Sequence, residues 1–428
     1  MSEKIKSLRG MHDLLPADSL TWQQTERVIQ DVMRVYGYAE IRTPLVENTA
    51  LFTRGIGEAT DIVEKEMYTF ESRSGESLTL RPENTAGCVR AALQHGLMTD
   101  GVANRIWYCG PMFRYERPQK GRTRQFHQVG AEVYGAAGAI VEAELILMSA
   151  RIWQELGVAD AVSLEINTLG TSEERAAYRS TLVAYFEANA SSLDADSQRR
   201  LETNPLRILD SKNPDMQALN NGAPQLADSL GSESREHFEQ LQELLSACGL
   251  TFSVNPRLVR GLDYYSQSVW EWTTTALGAQ GAVCGGGRYD GLIDMLGGKS
   301  CPAVGWALGM ERLIALIEAV VDAPATSSPH AYIVVSPELS PALGQRLAES
   351  LRSEIPGLRL VSNVVAGSMK AQFKRADKSG ASLALVIGAE EQSAGVVTVK
   401  SLRERTAQQQ LDRQQLKELL ADLADGAT

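Results

Sequence analysis

Between Pro111 and Tyr134 the chain reads PMFRYERPQKGRTRQFHQVGAEVY, a strand, a basic loop and a second strand. From Arg114 to Arg124, Arg114, Arg117, Lys120, Arg122 and Arg124 stand against one acid, Glu116, in a chain whose formal net charge is −11. That local reversal of sign suits a polyanion. From Gln125 to Tyr134 a two-residue period puts Phe126, Gln128, Gly130, Glu132 and Tyr134 on one face, and His127, Val129, Ala131 and Val133 on the other. Gln and Glu directed into a sheet-lined cavity can read hydrogen-bonding groups on a small ligand, and a Phe at the strand's start can stack on a planar ring. Alternation alone equally describes, and by itself favours, the solvated outer face of an antiparallel hairpin.

Four other blocks carry residues suited to chemistry. Arg81-Pro82-Glu83-Asn84-Thr85 sits at a strand-to-helix junction, where Thr and Asn most often cap the helix but a fixed carboxylate and hydroxyl can also bind an ammonium group. Leu258 to Tyr265 (LVRGLDYY) places Arg260 beside a glycine, so a phosphate can approach closely, and its paired tyrosines offer one ring inward and one outward. It is followed by Gly285 to Leu292 (GGGRYDGL). Val304 to Arg312 (VGWALGMER) brings Arg312 to a helix start. Other nucleotide signatures fail: GGKS at 297–300 lacks the P-loop's first glycine, since Ile293 stands there, and GGGRYDG does not satisfy GxGxxG.

The elements that must hold these residues follow from periodicity. A helix is expected from about Asp18 or Ser19, with Trp22, Ile29, Val32, Met33 and Tyr36 on one side, then a short strand from Ala39 to Thr43 ending at Pro44. Residues 66–72 and 77–81 bracket Ser74-Gly75 as a hairpin, and Cys88, Val89, Ala92 and Leu93 mark the next helix. Ile140 to Leu156 reads as a packing helix, and Val162 to Ile166 as a strand. From 171 to 255 charged helical segments dominate, an inserted helical subdomain with its own small core; prolines in NPLRILDSKNP forbid one long helix. A strand from Ser266 to Thr273 precedes GGGRYDGL. Beyond a linker at 323–330, alternating strands and helices imply a small α/β domain with a mixed sheet, one of whose helices carries Lys370, Lys374, Arg375 and Lys378.

A chain of 428 residues, 43% apolar, can build several such cores. Its five cysteines form no CxxC pair and no zinc-ligand spacing, which predicts a reduced, cytoplasmic protein without zinc. No run approaches the eighteen or so apolar residues of a membrane span, so no membrane partner is expected.

FRYE with its basic loop and glycine-containing strand resembles motif 2 of class II aminoacyl-tRNA synthetases. The helix and strand ending in TPLVE resemble motif 1, which in that class builds a homodimer, and the segment around Arg312 resembles motif 3. LVRGLDYY and GGGRYDGL resemble the two histidine-specific signatures of the histidyl-tRNA synthetases, bacterial type, and the likeness runs through nearly the whole chain. The class I signatures HIGH and KMSKS are missing. The resemblance implies an α+β catalytic domain on an antiparallel sheet flanked by helices (1–170 and 256–322), a helical insertion (171–255), and an α/β anticodon-binding domain (331–428). It implies a histidine–tRNA ligase with ATP, L-histidine and histidine tRNA as partners. Mg²⁺ would accompany ATP without direct side-chain ligation.

By residue, the likeness assigns Arg114 and Arg260 to the α-phosphate, Arg312 to the γ-phosphate, and Phe126 with Glu116 to adenine. It gives Glu83, Thr85 and Gln128 to the backbone side of histidine, and Glu132, Tyr265 and Tyr289 to its imidazole. Arg117, Lys120, Arg122 and Arg124 would meet the tRNA acceptor end. Asn84 departs from the family's usual Gly and puts the local backbone in question. Two rivals are a regulatory paralogue, such as the synthetase-like subunit of ATP phosphoribosyltransferase, and a class II-like ligase that charges no RNA. The arginine–tyrosine signature and the C-terminal domain count against the first, the C-terminal domain and basic loop against the second.

Overall fold

A computed structural model describes residues 4–425 except 58–59, 100, 120, 204, 210, 212, 260–261, 263, 279–280 and 322–327. The chain divides into two compact units, 1–324 and 325–428.

The first unit is organised on a sheet of eight strands among the described residues. In spatial order they are Ala39–Glu40, Asn104–Phe113, Gln125–Tyr134, Ala303–Gly309, Ala282–Arg288, Ser266–Thr273, Ser163–Thr168 and Ser253–Val254. The six inner strands pair antiparallel. The two-residue strands at either edge pair parallel. Alternation decides what each face meets. Val129, Ala131 and Val133, with Trp270, Trp272, Val304 and Trp306, face a layer of helices and form one core with Trp22, Met33, Leu145, Met148, Leu241, Leu245 and Leu313. Those helices are Ser19–Val35, Ala139–Glu155, Ser232–Ala247 and Met310–Val320. Each fully buried leucine there contributes roughly 1.5–3 kcal/mol, and each tryptophan removes roughly 150–250 Å² from water.

The opposite face packs Tyr108, Met112, Tyr134, Val269 and Tyr289 against Cys88 and Val89 of the Thr85–Gln94 helix. Tyr178, Leu182 and Phe186 of the Ser172–Ala188 helix join the same cluster. The separate core expected for residues 171–255 is therefore not found. Those helices are too polar to close a core alone, and they complete the one beneath the sheet. The Ser172–Ala188 helix starts at a capping box, in which the Glu174 carboxylate accepts from Thr171 N–H and the Thr171 hydroxyl accepts from Glu174 N–H.

Two local differences from expectation have one cause, Arg81. The strand expected over 39–43 stops at Glu40, because the Thr43 carbonyl and hydroxyl accept hydrogen bonds from the Arg81 guanidinium. Conversely, the first strand of the Pro111–Tyr134 stretch begins earlier, at Asn104, and runs through Gly110-Pro111 to Phe113. Pro111 pairs with His127 in register and its carbonyl accepts from Arg81 Nε, while Gly110 leaves the space that the guanidinium fills.

The second unit has a five-stranded sheet in the order Leu360–Ser362, Ala331–Val335, Leu383–Ile387, Val397–Ser401, Gln409–Leu411. Its first three strands are parallel and the last two antiparallel, the mixed sheet that the alternation of elements predicts. Both faces are covered, by separate apolar clusters.

Candidate active site

On the face of the Gln125–Tyr134 strand away from the helix layer, a cavity of about 240 Å³ opens. Phe126 and Gln128 line it, as do Glu83, Thr85, Arg114, Glu116, Arg122, Tyr265 and Arg312. Glu132 lies further along the same strand, fully buried. The polar face read from the sequence thus floors the cavity at Phe126 and Gln128 and is buried at Glu132 and Tyr134, so it is not a solvated surface.

Around Phe126 the groups are cationic. The Arg114 guanidinium lies over the Phe126 ring, 5.2 Å from its centroid, and its Nε donates to the Pro82 carbonyl at 2.8 Å. Glu116 pairs loosely with Arg114 at 3.9 Å and with Arg122 at 3.6 Å. Arg312 donates to the Ala282 carbonyl at 2.6 Å. Burial, then the charges of Arg122 and Arg114, push the Arg312 pKa down. Arginines held close to one another against their own repulsion favour a multiply charged anion.

Further along the strand the groups are acidic and dry. The Thr85 hydroxyl donates to Glu132 Oε1 at 2.9 Å, and the Tyr289 hydroxyl donates to Oε2. Burial pushes the Glu132 carboxyl up to about 8, with those two hydrogen bonds pulling it back in part. Gly305, its register partner on the neighbouring strand, has to be glycine, since a Cβ there would overlap Glu132 Oε2. Glu83 accepts from the N–H groups of Thr85 at 2.7 Å and Ala86 at 3.0 Å, so it caps the Thr85–Gln94 helix while facing the cavity. Its carboxyl is likewise raised by burial, against those bonds. Asn84 is fully engaged: its Oδ1 accepts from Thr43 Oγ1 and Arg81 Nη1, and its Nδ2 donates to Cys88 Sγ.

The basic loop splits. Arg117 and Arg122 are exposed, whereas Arg124 turns back, stacking 3.7 Å from the Tyr115 ring centroid and donating to the Glu116 carbonyl. Lys120 and Arg260 lie outside the described residues. The tyrosine pair does not divide inward and outward as expected. Both rings are buried, 4.7 Å apart, and both pack near Tyr289. They precede the strand, so its alternation does not govern them. Just beyond, Gln267 takes φ +51° where the pairing with the Ala282–Arg288 strand shifts register. Among the cavity residues that the sequence did not assign to the site are Tyr264 and Glu271. Glu271 was legible: flanked by two core tryptophans, Trp270 and Trp272, it has to face the other way.

A cavity floored by an antiparallel sheet, with an arginine-bearing hairpin on one side and an arginine-bearing helix start on the other, is the arrangement of a class II aminoacyl-tRNA synthetase. A histidyl-tRNA synthetase family model matches residues 10–313, and an anticodon binding domain model matches 331–423. The crystal structure of apo histidyl-tRNA synthetase from S. aureus aligns with a TM-score of 0.81 and 33% identity, over 98% of this chain and 100% of that one. The Nostoc sp. histidyl-tRNA synthetase aligns at 0.69 and 20% identity, over 99% of each chain. A Bacillus halodurans ATP phosphoribosyltransferase regulatory subunit/histidyl-tRNA synthetase aligns at 0.62 and 22%, over 91% of this chain and 99% of that one. The last two bear on the fold alone. This chain belongs to the histidyl-tRNA synthetase family. Its activity is that of a histidine–tRNA ligase, which activates histidine with ATP and transfers it to the 3′ end of histidine tRNA. Among the described residues no helix is long and apolar enough to cross a membrane.

Proposed function

We propose that the Gln125–Tyr134 strand divides the two substrates along its length. From Phe126 to Glu132 spans roughly 20 Å of strand, room for ATP at the cationic end and histidine at the buried acidic end. The observation that carries this reading is the contrast on one strand face: arginines gather around Phe126, and the hydroxyls of Thr85 and Tyr289 donate to the buried Glu132 carboxyl.

In this assignment Arg114 holds the α-phosphate and Arg312 the γ-phosphate, with adenine stacked at Phe126 beside Glu116. Arg260 joins Arg114 at the α-phosphate on the strength of its sequence context. Glu83, Thr85 and Gln128 take the ammonium and carboxylate side of histidine; Gln128 Oε1 is buried without a hydrogen-bond partner, which suits an acceptor awaiting a donor. Glu132, Tyr265 and Tyr289 take the imidazole. A carboxyl that keeps its proton near neutrality donates from one oxygen and accepts at the other, the complement of a neutral imidazole. An amino acid that cannot complete those bonds leaves buried groups unpaired, a penalty able to discriminate by roughly 10⁴–10⁵.

The histidine carboxylate attacks the α-phosphorus in line, the bond to the bridging oxygen breaks, and pyrophosphate leaves with the electron pair. The residues' work is positioning and charge stabilisation. The terminal 3′-hydroxyl of tRNA then attacks the activated carbonyl and AMP departs, with Arg117, Lys120, Arg122 and Arg124 near the acceptor end. Among the described residues no cluster of three or more His, Cys, Asp or Glu is placed to hold a metal. Glu116 and Glu271 supply single carboxylates of the oxygen type that Mg²⁺ accepts, so the ion fits as a companion of the phosphates, neutralising charge on pyrophosphate.

Histidine-dependent ATP–pyrophosphate exchange tests the division. Phe126→Ala should raise KM for ATP about tenfold, the share of one lost stacking contact, and leave KM for histidine within about twofold. Equal rises in both would show that Phe126 serves the fold and not adenine.

The assembly proposed is a homodimer. Val35, Leu45 and Val46, in the segment that resembles motif 1, are exposed apolar residues that a second copy would cover. A sedimentation mass near the single chain's 46.6 kDa would contradict it.

A further inference from the structure

One buried charge cluster has no part in the scheme above. Arg288, in the GGGRYDG block, is 3% exposed and points away from the cavity, into the helix layer. Its Nε donates to Glu142 Oε1 at 2.7 Å, its Nη1 to Asp290 Oδ1 at 3.3 Å and its Nη2 to the Gly138 carbonyl at 3.1 Å. Glu142, with no exposed surface, belongs to the Ala139–Glu155 helix, and both its oxygens lie 3.0 Å from His237 Nε2. His237 stands on the Ser232–Ala247 helix, which returns the chain from the inserted helices to the sheet. Three elements thus meet at one carboxylate.

Buried ion pairs of this kind are poor sources of net stability, because desolvating the charges offsets much of their attraction. What they confer is a fixed geometry, and here the geometry adjoins the site. Arg288 and Asp290 flank Tyr289, the donor to Glu132. Asp290 also accepts from Ala303 N–H at 2.7 Å, and Tyr289 N–H donates to the Ala303 carbonyl at 2.8 Å. Tyr289 is therefore flanked by Arg288, which Glu142 holds directly, and by Asp290, which Arg288 and the Ala303 N–H hold in turn. Burial pushes the Glu142 carboxyl up, but the His237 hydrogen bond and the Arg288 charge outweigh it, so the carboxyl is held below its ordinary range and accepts from both partners.

We propose that Arg288, Glu142 and His237 form a positioning clasp that sets Tyr289 against Glu132, so that histidine recognition depends on the seating of the Ser232–Ala247 helix. None of the three touches substrate; they act through Tyr289. The inserted helices thereby gain a route to the amino-acid end of the cavity, since the helix that closes the insertion is tied to the strand that carries Tyr289. The proposal rests on the assignment of Glu132 and Tyr289 to imidazole.

Pyrophosphate exchange by the full-length protein tests it with four variants, Arg288→Lys, His237→Ala, His237→Gln and Tyr289→Phe, each first checked as folded by circular dichroism. Lysine keeps the charge of Arg288 but cannot make three directed bonds. Arg288→Lys and His237→Ala are expected to raise KM for histidine about tenfold or more, the share of one hydrogen bond to a charged group, with KM for ATP within about twofold. His237→Gln, whose amide can still donate to Glu142, should recover most of the loss. Should Arg288→Lys not fold, the two His237 variants decide. The clasp is overturned if Tyr289→Phe raises KM for histidine while the clasp variants change only stability, or shift both KM values alike. A Tyr289→Phe enzyme with unchanged histidine KM would instead overturn the assignment of Tyr289, and the clasp with it.

Discussion

Glu132 shows how one side chain can be set by what its neighbours leave out. Gly305 gives it room, Tyr289 and Thr85 each donate to it, and burial keeps its proton to about pH 8. An unfolded glutamate titrates near 4.3, so between that value and about 8 the unfolded chain has released a proton that the folded chain retains. The contribution of this group to stability is therefore complete below the unfolded pKa and declines as pH rises toward about 8. Glu132→Gln removes the proton equilibrium while keeping the shape. Its stability relative to the parent should improve as pH goes from 5 to 8, by at most about 1.4 kcal/mol per pH unit, measured by urea titration without ligands. A difference that does not vary with pH would mean that the folded protein carries Glu132 ionised. The same variant should bind histidine more weakly, since an amide cannot exchange donor for acceptor as imidazole turns.

At the level of elements, one join ties the Gln125–Tyr134 strand, which carries Phe126 and Gln128, to the Met310–Val320 helix, which carries Arg312. The Ala303–Gly309 strand stops opposite Gln128, and the next N–H, that of His127, is capped by both Glu311 oxygens at 2.9 and 3.0 Å. Glu311 also meets His127 Nδ1 at 3.0 Å and precedes Arg312. Glu311→Ala should destabilise by about 1 kcal/mol, the low end for an uncapped donor because the His127 side chain is 35% exposed. It should also raise KM for ATP more than for histidine, because Arg312 is the next residue; equal changes would confine Glu311 to the fold. Elements with a full alternating pattern were legible in the sequence: the strands Gln125–Tyr134 and Ser266–Thr273 appear with the expected bounds. Elements whose pattern is erased were not. The Ala282–Arg288 strand contains three consecutive glycines, and Gly286 and Gly287 leave space taken by Trp270, the Gly305 carbonyl and Tyr265. Gly110-Pro111 hid a strand by looking like its end, because the residue that makes it tolerable, Arg81, is thirty positions away in sequence. Cavity residues followed the same rule. Phe126 and Gln128 came from alternation, whereas Tyr264 lies where no regular period applies.

The two units of the molecule bury their apolar residues separately. The clusters of the first unit extend no further than Val321, and those of the second begin at Ala331. Ending the chain at Pro324 therefore removes no core residue from the first unit and leaves its sheet, cavity and clasp with all their described partners. Histidine-dependent pyrophosphate exchange should survive the truncation within about threefold, because every residue that lines the cavity belongs to the first unit. Charging of tRNA is a different matter, since the removed unit matches the anticodon-binding family and carries Lys370, Lys374 and Lys378 exposed along the Met369–Lys378 helix. If those lysines meet phosphates, charging efficiency of the full chain should fall with salt, each contact adding about 0.9 or less to the log–log slope. The truncated protein should charge at least about tenfold less well and show a shallower slope, since affinity and counterion release are lost together. Charging unimpaired by the truncation would remove the second unit from tRNA recognition altogether. Lost charging with an unchanged slope would keep the unit but move its contacts from phosphates to bases, which single-stranded anticodon nucleotides expose.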